Sequence, residues 1–508
     1  MPGSRSPLAT LKSVGPAIIV AAVVLGPGSI IVSSKVGAVF GYSAVWVLAL
    51  AIILLIAMVR LAAHIGLAYE KTPCQEISDR VGRKTAIALG VVLFLIIACF
   101  QTSNNIAVAA AIEPLFGAAL PTWAPAAAIL AINAIVLAIL YILPSLYKRI
   151  EAIMKVLVLT MIIAFLTNAI AAAPSIIETL KGMLPILPQP DPNLAKFSDQ
   201  EAAQALKDPY TIIGALIATT FSIAAAFYQA YLVRERGWTL KDADRVRSDT
   251  SFGIVVLGAI SLIIMITSAS VFYGKLIDGL PAATTLNSAT DVAGQLAPLF
   301  GNWARLIFGL GIFAAAISSF LVNAMIGGTI LSDSLGLGAR IRDRWPRHLT
   351  ALALVFGMSA GLLTVTTDFS PVSMITFAQA LTVLGVPALA AALLYLGTRP
   401  ELTGDRRLPR KTLSLAYLGT AVVVILAVRK ATSLSAQIFF SSMKTPTTLD
   451  ALHQAASEPT PAALAAIEAC PGDVLVLGAG GKMGLHLCLM LRRCLDQLDR
   501  RDSMTAVS

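Results

Sequence analysis

Charge is what this sequence has least of. Only 13% of its 508 residues are Asp, Glu, Lys or Arg, about half the share of a soluble domain. Apolar residues make up 57%, and mean hydropathy is +0.81. Too little polar surface remains to coat several water-facing cores, which excludes a water-soluble multidomain enzyme as the main reading. Five cysteines (Cys74, Cys99, Cys470, Cys488, Cys494) form no CxxC pair, so neither a disulfide framework nor a zinc site is expected. The 38 basic residues exceed the 28 acidic ones. In this composition the excess reads as basic loops beside a lipid bilayer, with no nucleic-acid partner.

What the chain does have is apolar runs of bilayer length. Eleven spans are expected, near 16–40, 42–67, 85–116, 123–142, 150–172, 211–233, 252–272, 303–331, 349–365, 373–396 and 413–428. This is the pattern of an all-α integral membrane protein. The polar start, residues 1–14, has no cleavage signal after it and is expected to remain as a cytoplasmic tail. Basic residues divide 22 to four between alternate loops, the four being Lys181, Lys196, Lys207 and Lys275. That asymmetry puts the N-terminus inside and suits a multi-pass protein of the cell (inner) membrane. Residues 15–172 and 211–396 overlay as two sets of five spans. An odd number per set inverts the second relative to the first, as in many secondary transporters. A short eleventh helix, 413–428, follows, and the Pro-rich loop 173–210 reads as a solvated connector.

Within the first span lies Gly26-Pro27-Gly28-Ser29. Proline removes a backbone donor and glycine adds entropy to the unwound chain, so a break is expected here, with a simple proline kink as the plainer reading. Unwound backbone at membrane depth survives only when buried in protein or lining a cavity. The sixth span has a polar centre, Thr219, Thr220 and Ser222, but no proline. Spacing alone favours hydroxyls bonding back to their own helix.

These residues resemble the Nramp family of metal-ion transporters. The similarity runs through GPAIIVAAVVLGPGSIIVSSKVGAVFGYSAVWVL, YKRIEAIMKVLVL, KGMLPILP, AYLVRERG, QLAPLFGNWARLIFGLGIFAAAISS and AQALTVLGVPALA, in the family's order, over most of residues 15–428. The resemblance implies a LeuT-type core of inverted five-helix repeats, about 11 transmembrane helices, and substrate held between broken helices 1 and 6. On that alignment Gly26, Ser29, Thr219, Ser222 and Gln379 are the expected substrate-binding positions, with Pro27 and Gly28 forming the break. Lys35, Gln101, Asn104 and Gln229 fall on the cavity or coupling route. Gly26 stands where the family has its metal-binding Asp, Ser29 where it has Asn, and Ser222 where it has Met. Gln101 and Asn104 stand in place of acids, Gln229 of a His and Lys35 of a Glu, while Gln379 matches.

The departures carry chemistry. A thioether favours softer transition metals, whereas hydroxyl and amide oxygens suit hard cations. A bare divalent ion at mid-membrane needs compensating negative charge. Mg²⁺, which keeps its waters, fits a neutral oxygen site better than Mn²⁺ or Fe²⁺. Relays through membranes use Asp, Glu or His. Glu113, Glu151 and the pair Arg60–His64 lie toward interfaces, which argues against proton coupling. Lys35 either reaches the outer interface or a carboxylate, or faces the vestibule and favours an anion, which half-helix N-termini also attract. Asn104 and Asn105 are alternatively interhelical glue, Gly327 and Gly328 packing residues, and Arg234, Glu235 and Arg236 a solvated helix end.

After residue 430 the composition changes. A polar linker leads into DVLVLGAGGKMGLHLCLMLRR, in which Gly478, Gly481 and Gly484 sit at the spacing of a dinucleotide-binding strand–turn–helix. No second strand or catalytic pair is expected after it, so residues 431–508 read as a truncated Rossmann-like fragment without activity. The sequence therefore points to a cofactor-free secondary active transporter for a small inorganic ion, a metal cation first. The alternative is a same-fold transporter of a small anion or neutral solute; more remote is an oxidoreductase fusion through the tail.

Overall fold

The structure is a computed structural model. It describes residues 26–116, 121–142, 159–160, 162–196, 209–340, 343–366, 370–404, 407–442, 453–454, 456–459, 461–477, 479–481 and 484–507. The chain forms two compact units, Met1–Ala431 and Thr432–Ser508.

Among the described residues, the regular structure of the first unit is helical apart from a short hairpin, β1 (Leu276–Ile277) with β2 (Leu280–Pro281). Its principal helices are α1 (Pro27–Phe40), α2 (Val45–Ala68), α3 (Pro73–Arg80), α4 (Arg83–Phe116), α5 (Ala124–Tyr141), α6 (Tyr210–Thr220), α7 (Ile223–Glu235) and α8 (Ala243–Phe272). After these come α9 (Trp303–Ser334), α10 (Arg344–Val365), α11 (Pro371–Thr382), α12 (Val386–Gly397) and α13 (Arg410–Ser442). Among the described residues nine stretches are long and apolar enough to cross a membrane; Pro27–Ala68 counts as one of them, and Ile162–Ala171 is a shorter apolar helix. Residues 16–25 of the expected first span, and 150–158 and 161 of the expected fifth, lie outside the described residues. This is a multi-pass integral membrane protein.

The last span is longer than expected, because the helix does not stop at the basic pair after residue 428. Arg429 lies 5.1 Å from the Tyr210 ring centroid and Lys430 5.0 Å from that of Phe377. Both cations thus find aromatic faces along the helix and have no need of a loop.

Between apolar helices in lipid there is little hydrophobic drive to associate, so close approach of backbones and buried hydrogen bonds do the work. A Cβ on Gly66 of α2 would overlap the Ala230 backbone of α7, one on Gly357 of α10 would overlap Gln101 of α4, and one on Gly328 of α9 would overlap Thr350 of α10. The asparagines act as the glue their composition suggests. Ser319 Oγ of α9 donates to Asn104 Oδ1 at 3.0 Å, and Asn133 Nδ2 of α5 donates to Asn105 Oδ1 at 2.6 Å. Phe40, Phe165, Phe227, Phe308 and Phe320 fill the core they enclose.

The second unit contains the expected strand and helix and corrects the expectation that no second strand follows. Strand β3 (Val474–Leu477) is followed by α15 (Gly484–Gln497), preceded in the unit by α14 (Pro461–Ala469). A second strand, β4 (Met504–Val507), then pairs in parallel with β3, from Val474 opposite Met504 to Leu477 opposite Val507. Four residues after a polar turn are too few for periodicity to reveal; the ladder with β3 is what orders them.

Gly66→Ala is expected to lower thermal stability by about 1–3 kcal/mol, because the intruding Cβ meets backbone that cannot turn aside. Gly214→Ala, at a helical site with open space around it, should be neutral or slightly stabilising. Unfolding midpoints in detergent, measured in parallel, check both.

Candidate functional site

Two helix ends meet the core without a full set of partners. Gly26 is extended (φ −75°, ψ 171°) and Pro27 opens α1 at its first position, where a missing N–H costs nothing. The Gly26 carbonyl accepts from Ser29 N at 3.1 Å and Ile30 N at 3.3 Å. Residues on the other side of Gly26 lie outside the described residues, so only one half of this expected break is visible.

The sixth span is interrupted outright. Helix α6 ends at Thr220, Phe221 (φ −85°, ψ 59°) and Ser222 (φ −72°, ψ 90°) leave helical geometry, and α7 restarts at Ile223. The Phe221 ring is fully buried, packed so closely on Gly419 of α13 that a Cβ there would lie 2.7 Å from Cζ. Ser222 then caps α7, accepting from Ala225 N at 3.5 Å. The interruption thus rests on a seated aromatic ring and a serine cap, with no proline. It leaves the last carbonyls of α6 and the first amides of α7 without partners in their own helices.

Helices α1, α6 and α11 pack on one another, and α4 packs against α1 and α11. At their junction Gly28 lies directly against the Gln379 side chain, so closely that a Cβ would collide with it. On α1, α6 and α11 the buried oxygens Ser29 Oγ, Ser33 Oγ, Thr220 Oγ1 and Gln379 Oε1 lack any hydrogen-bond partner, as does Ser103 Oγ on α4. Of these, Ser29, Thr220 and Gln379 lie at or next to the helix ends and the Gly28 contact just described. Thr219 is buried beside them, but its hydroxyl bonds back to Leu216 O at 3.1 Å, the behaviour spacing favoured. Nothing in this set carries formal charge. Among the described residues no group of three or more His, Cys, Asp or Glu is placed to hold a metal ion.

The other expected positions separate into distinct environments. Gln101 and Asn104 belong to a satisfied network. Gln101 Nε2 donates to Phe320 O at 2.6 Å, and Asn104 Nδ2 donates to Gln101 Oε1 at 2.9 Å, so the pair fastens α4 to α9. Gln229 on α7 is buried with both amide atoms unpartnered. Lys35 is 6% exposed, and its Nζ donates to Leu286 O at 3.0 Å, with the Asp291 carboxylate in its field. Asp291 in turn accepts from the Asn287 and Ser288 amides. The ammonium therefore ties α1 to the connection between α8 and α9.

Some polar positions were not singled out from sequence. Asn323, Thr329 and Ser332 on α9 each hold a buried oxygen without a partner, and Asp333 near the end of the same helix is buried within a hydrogen-bonded cluster. A lone carboxylate closing an apolar span was the available signal. Arg234 corrects the expectation of a solvated helix end: its guanidinium donates to both Tyr69 O and Glu70 O, a use suited to the planar fork. Cys74 is fully buried in α3, and burial pushes its thiol up to about 12, leaving it protonated and unreactive.

Residues 17–433 match the family described as Nramp, Natural resistance-associated macrophage protein-like. The divalent metal cation transporter MntH of Yersinia pestis (strain Pestoides F) is 25% identical over 426 residues, covering 83% of this chain and 95% of that protein. MntH of Erwinia tasmaniensis is 23% identical over 417 residues, covering 81% and 92%. Among solved structures, a mutant of the Eremococcus coleocola manganese transporter superposes with a TM-score of 0.66 at 18% identity, over 97% of both chains. The fold is therefore that of an all-α transporter, and with four-fifths of its length matched, this chain belongs to the Nramp family.

Proposed function

We propose that this protein is a secondary active transporter of a divalent metal cation whose site is recast for a hard or hydrated ion, Mg²⁺ ahead of Mn²⁺ and Fe²⁺. The matched relatives named as divalent metal cation transporters support the cargo class. The observation that carries the finer reading is the set of unpartnered neutral oxygens, Ser29 Oγ, Thr220 Oγ1 and Gln379 Oε1, where α1, α6 and α11 pack together. Buried polar atoms without partners are costly, on the order of 1–3 kcal/mol each, so they favour a cargo that brings its own donors. A cation keeping its water shell does so: each bound water donates outward, and the ion avoids a desolvation of tens of kcal/mol that no fixed carboxylate offsets. Gln229, unpartnered on α7, extends the same chemistry along the proposed route. Gly26, Thr219 and Ser222 belong to the site through the backbone they shape, and no proton relay through side-chain acids is required. The N-terminus lies on the cytoplasmic side of the inner membrane, as the basic loops favour.

A small anion or neutral solute is the second reading. It is favoured by the absence of negative charge and by the two half-helix starts at Pro27 and Ile223, which carry positive partial charge. The Lys35 bond to Leu286 O weakens it, because the ammonium is already engaged. The 431–508 segment is a linker and a Rossmann-like fragment that takes no part in transport.

Purified protein in proteoliposomes should take up Mg²⁺ faster than Mn²⁺, with little acidification of the lumen. Uptake of Mn²⁺ in preference to Mg²⁺, or of a small anion in place of either, would overturn the assignment. Gly28→Ala should reduce uptake about tenfold or more, because its Cβ drives Gln379 from its place, whereas Ser29→Ala and Gln379→Ala should each cost about three- to thirtyfold. Unchanged initial rates in all three would move the site elsewhere. Equilibrium dialysis of the full chain against NAD is expected to show no binding.

A further inference from the structure

Asp333 sits at the end of α9, 4% exposed, and collects three side-chain donors from two other elements. Thr72 Oγ1 and Tyr231 Oη both donate to its Oδ2, at 2.6 and 2.7 Å, and Gln75 Nε2 donates to Oδ1 at 3.2 Å. Thr72 is also the cap of α3, closing a capping box with Gln75. Tyr231 belongs to α7, the half-helix that follows the interruption at Phe221–Ser222. One turn further along α7, Arg234 grips the carbonyls of Tyr69 and Glu70. Tyr69 Oη in turn donates to Leu396 O of α12 at 2.9 Å, while Arg80 lies over the Tyr69 ring and pairs with Glu76 and Glu401. All these groups are at the end of the bundle where the basic loops gather.

We propose that Asp333 is the acceptor of a latch that holds this end of the transport path shut by fastening α7 to the 69–75 segment. The inference rests on the transport reading above but concerns how the path opens, which that reading leaves unspecified. Three features make the cluster a latch and distinguish it from a permanent clamp. The interruption at Phe221–Ser222 lets α7 tilt without carrying α6 with it, since non-helical residues at an element's end absorb hinge motion. The three side-chain donors to Asp333 are neutral, so releasing them leaves no second charge stranded. A cleft of about 190 Å³, bordered by Asp333, Gln75, Lys71 and Asp79, has room for several waters to replace those donors as they leave. Residue Tyr231 is the moving contact, and Asp333, on the long uninterrupted α9, is the fixed one.

The test uses the full chain in lipid nanodiscs, with hydrogen–deuterium exchange and unfolding midpoints read on the same samples. Tyr231→Phe removes one hydroxyl and keeps the ring contacts with Phe227 and Tyr228; Asp333→Asn weakens all three bonds together. Both variants are expected to raise exchange in residues 69–80 and 223–236 about tenfold, the worth of one charge-assisted hydrogen bond. Exchange in 276–296 should stay at its original rate. Exchange unchanged in 69–80 and 223–236 would overturn the latch, as would a uniform rise across the chain with a lowered midpoint, which is the mark of simple destabilisation. No substrate enters this measurement, so failure of the latch and failure of the transport assignment are read separately.

Discussion

Backbone polar groups inside a bilayer must find partners within the protein, and the rest of this structure follows from that requirement. A helix satisfies it automatically. An interrupted helix does not, and the bare amides and carbonyls it creates are tolerated only where other helices wall them off from lipid. Here α8 and α4 pack against α1, α2 packs against α6, and α11 packs against both α1 and α6, with Gly28 so close to Gln379 that it has room for no side chain. Helix α7 is likewise sheltered, packed on α2 and α12 with Gly66 lying against its Ala230 backbone. Packing and polarity are therefore one design: the smallest residues stand where the backbone most needs cover.

The same constraint explains where formal charge sits. The groups on α1, α6 and α11 nearest the interruptions are neutral hydroxyls and an amide, whereas the buried Lys35 lies further along α1 and Asp333 at the end of α9. Lys35 donates to a carbonyl within the field of Asp291, and Asp333 accepts from hydroxyl and amide donors. Each buried ion is surrounded by hydrogen-bond partners, as the cost of stranding a charge in low dielectric demands. The site proposed here would discriminate among ions by how firmly they hold their water, with little use of attraction to a fixed charge.

Much of this could be read from the amino acids. Long apolar runs mark the membrane-spanning helices, and Gly26-Pro27-Gly28 coincides with the start of α1, because each is a local property that survives any packing. The interruption at Phe221–Ser222, which the family resemblance implies, is not legible from local spacing for a physical reason: nothing local forces it. A fully buried ring seated against Gly419, some two hundred residues away in sequence, stabilises a bend that Thr-Thr-Phe-Ser alone would not make. The same holds for Arg234, whose carbonyl partners come from the 69–70 segment, for the continuation of α13 past Arg429, and for β4, which exists because β3 offers a ladder. Gln101 and Asn104 resemble cavity residues by alignment, yet their hydrogen bonds to Phe320 and Ser319 make them structural ties. Composition finds polar atoms in a span; only coordinates tell which are already satisfied.

That distinction bears on how a neutral site and a latched exit work together. The satisfied network of Gln101, Asn104 and Ser319 fastens α4 to α9, and α9 continues to Asp333. The long helices α4 and α9 thus form a fixed frame from the site to the basic end. In the proposed mechanism the interrupted span moves against it, and its two halves differ: α6 packs with α1 and α11, whose Ser29 and Gln379 oxygens lack partners, while α7 carries Gln229 and ends on the proposed latch. A hydrated cation between α1 and α6 would bond to the lone pairs of Ser29, Thr220 and Gln379, drawing no strength from α7. Occupancy and exit are then governed by different halves of one broken helix, with the bend at Phe221 as the only covalent link between them.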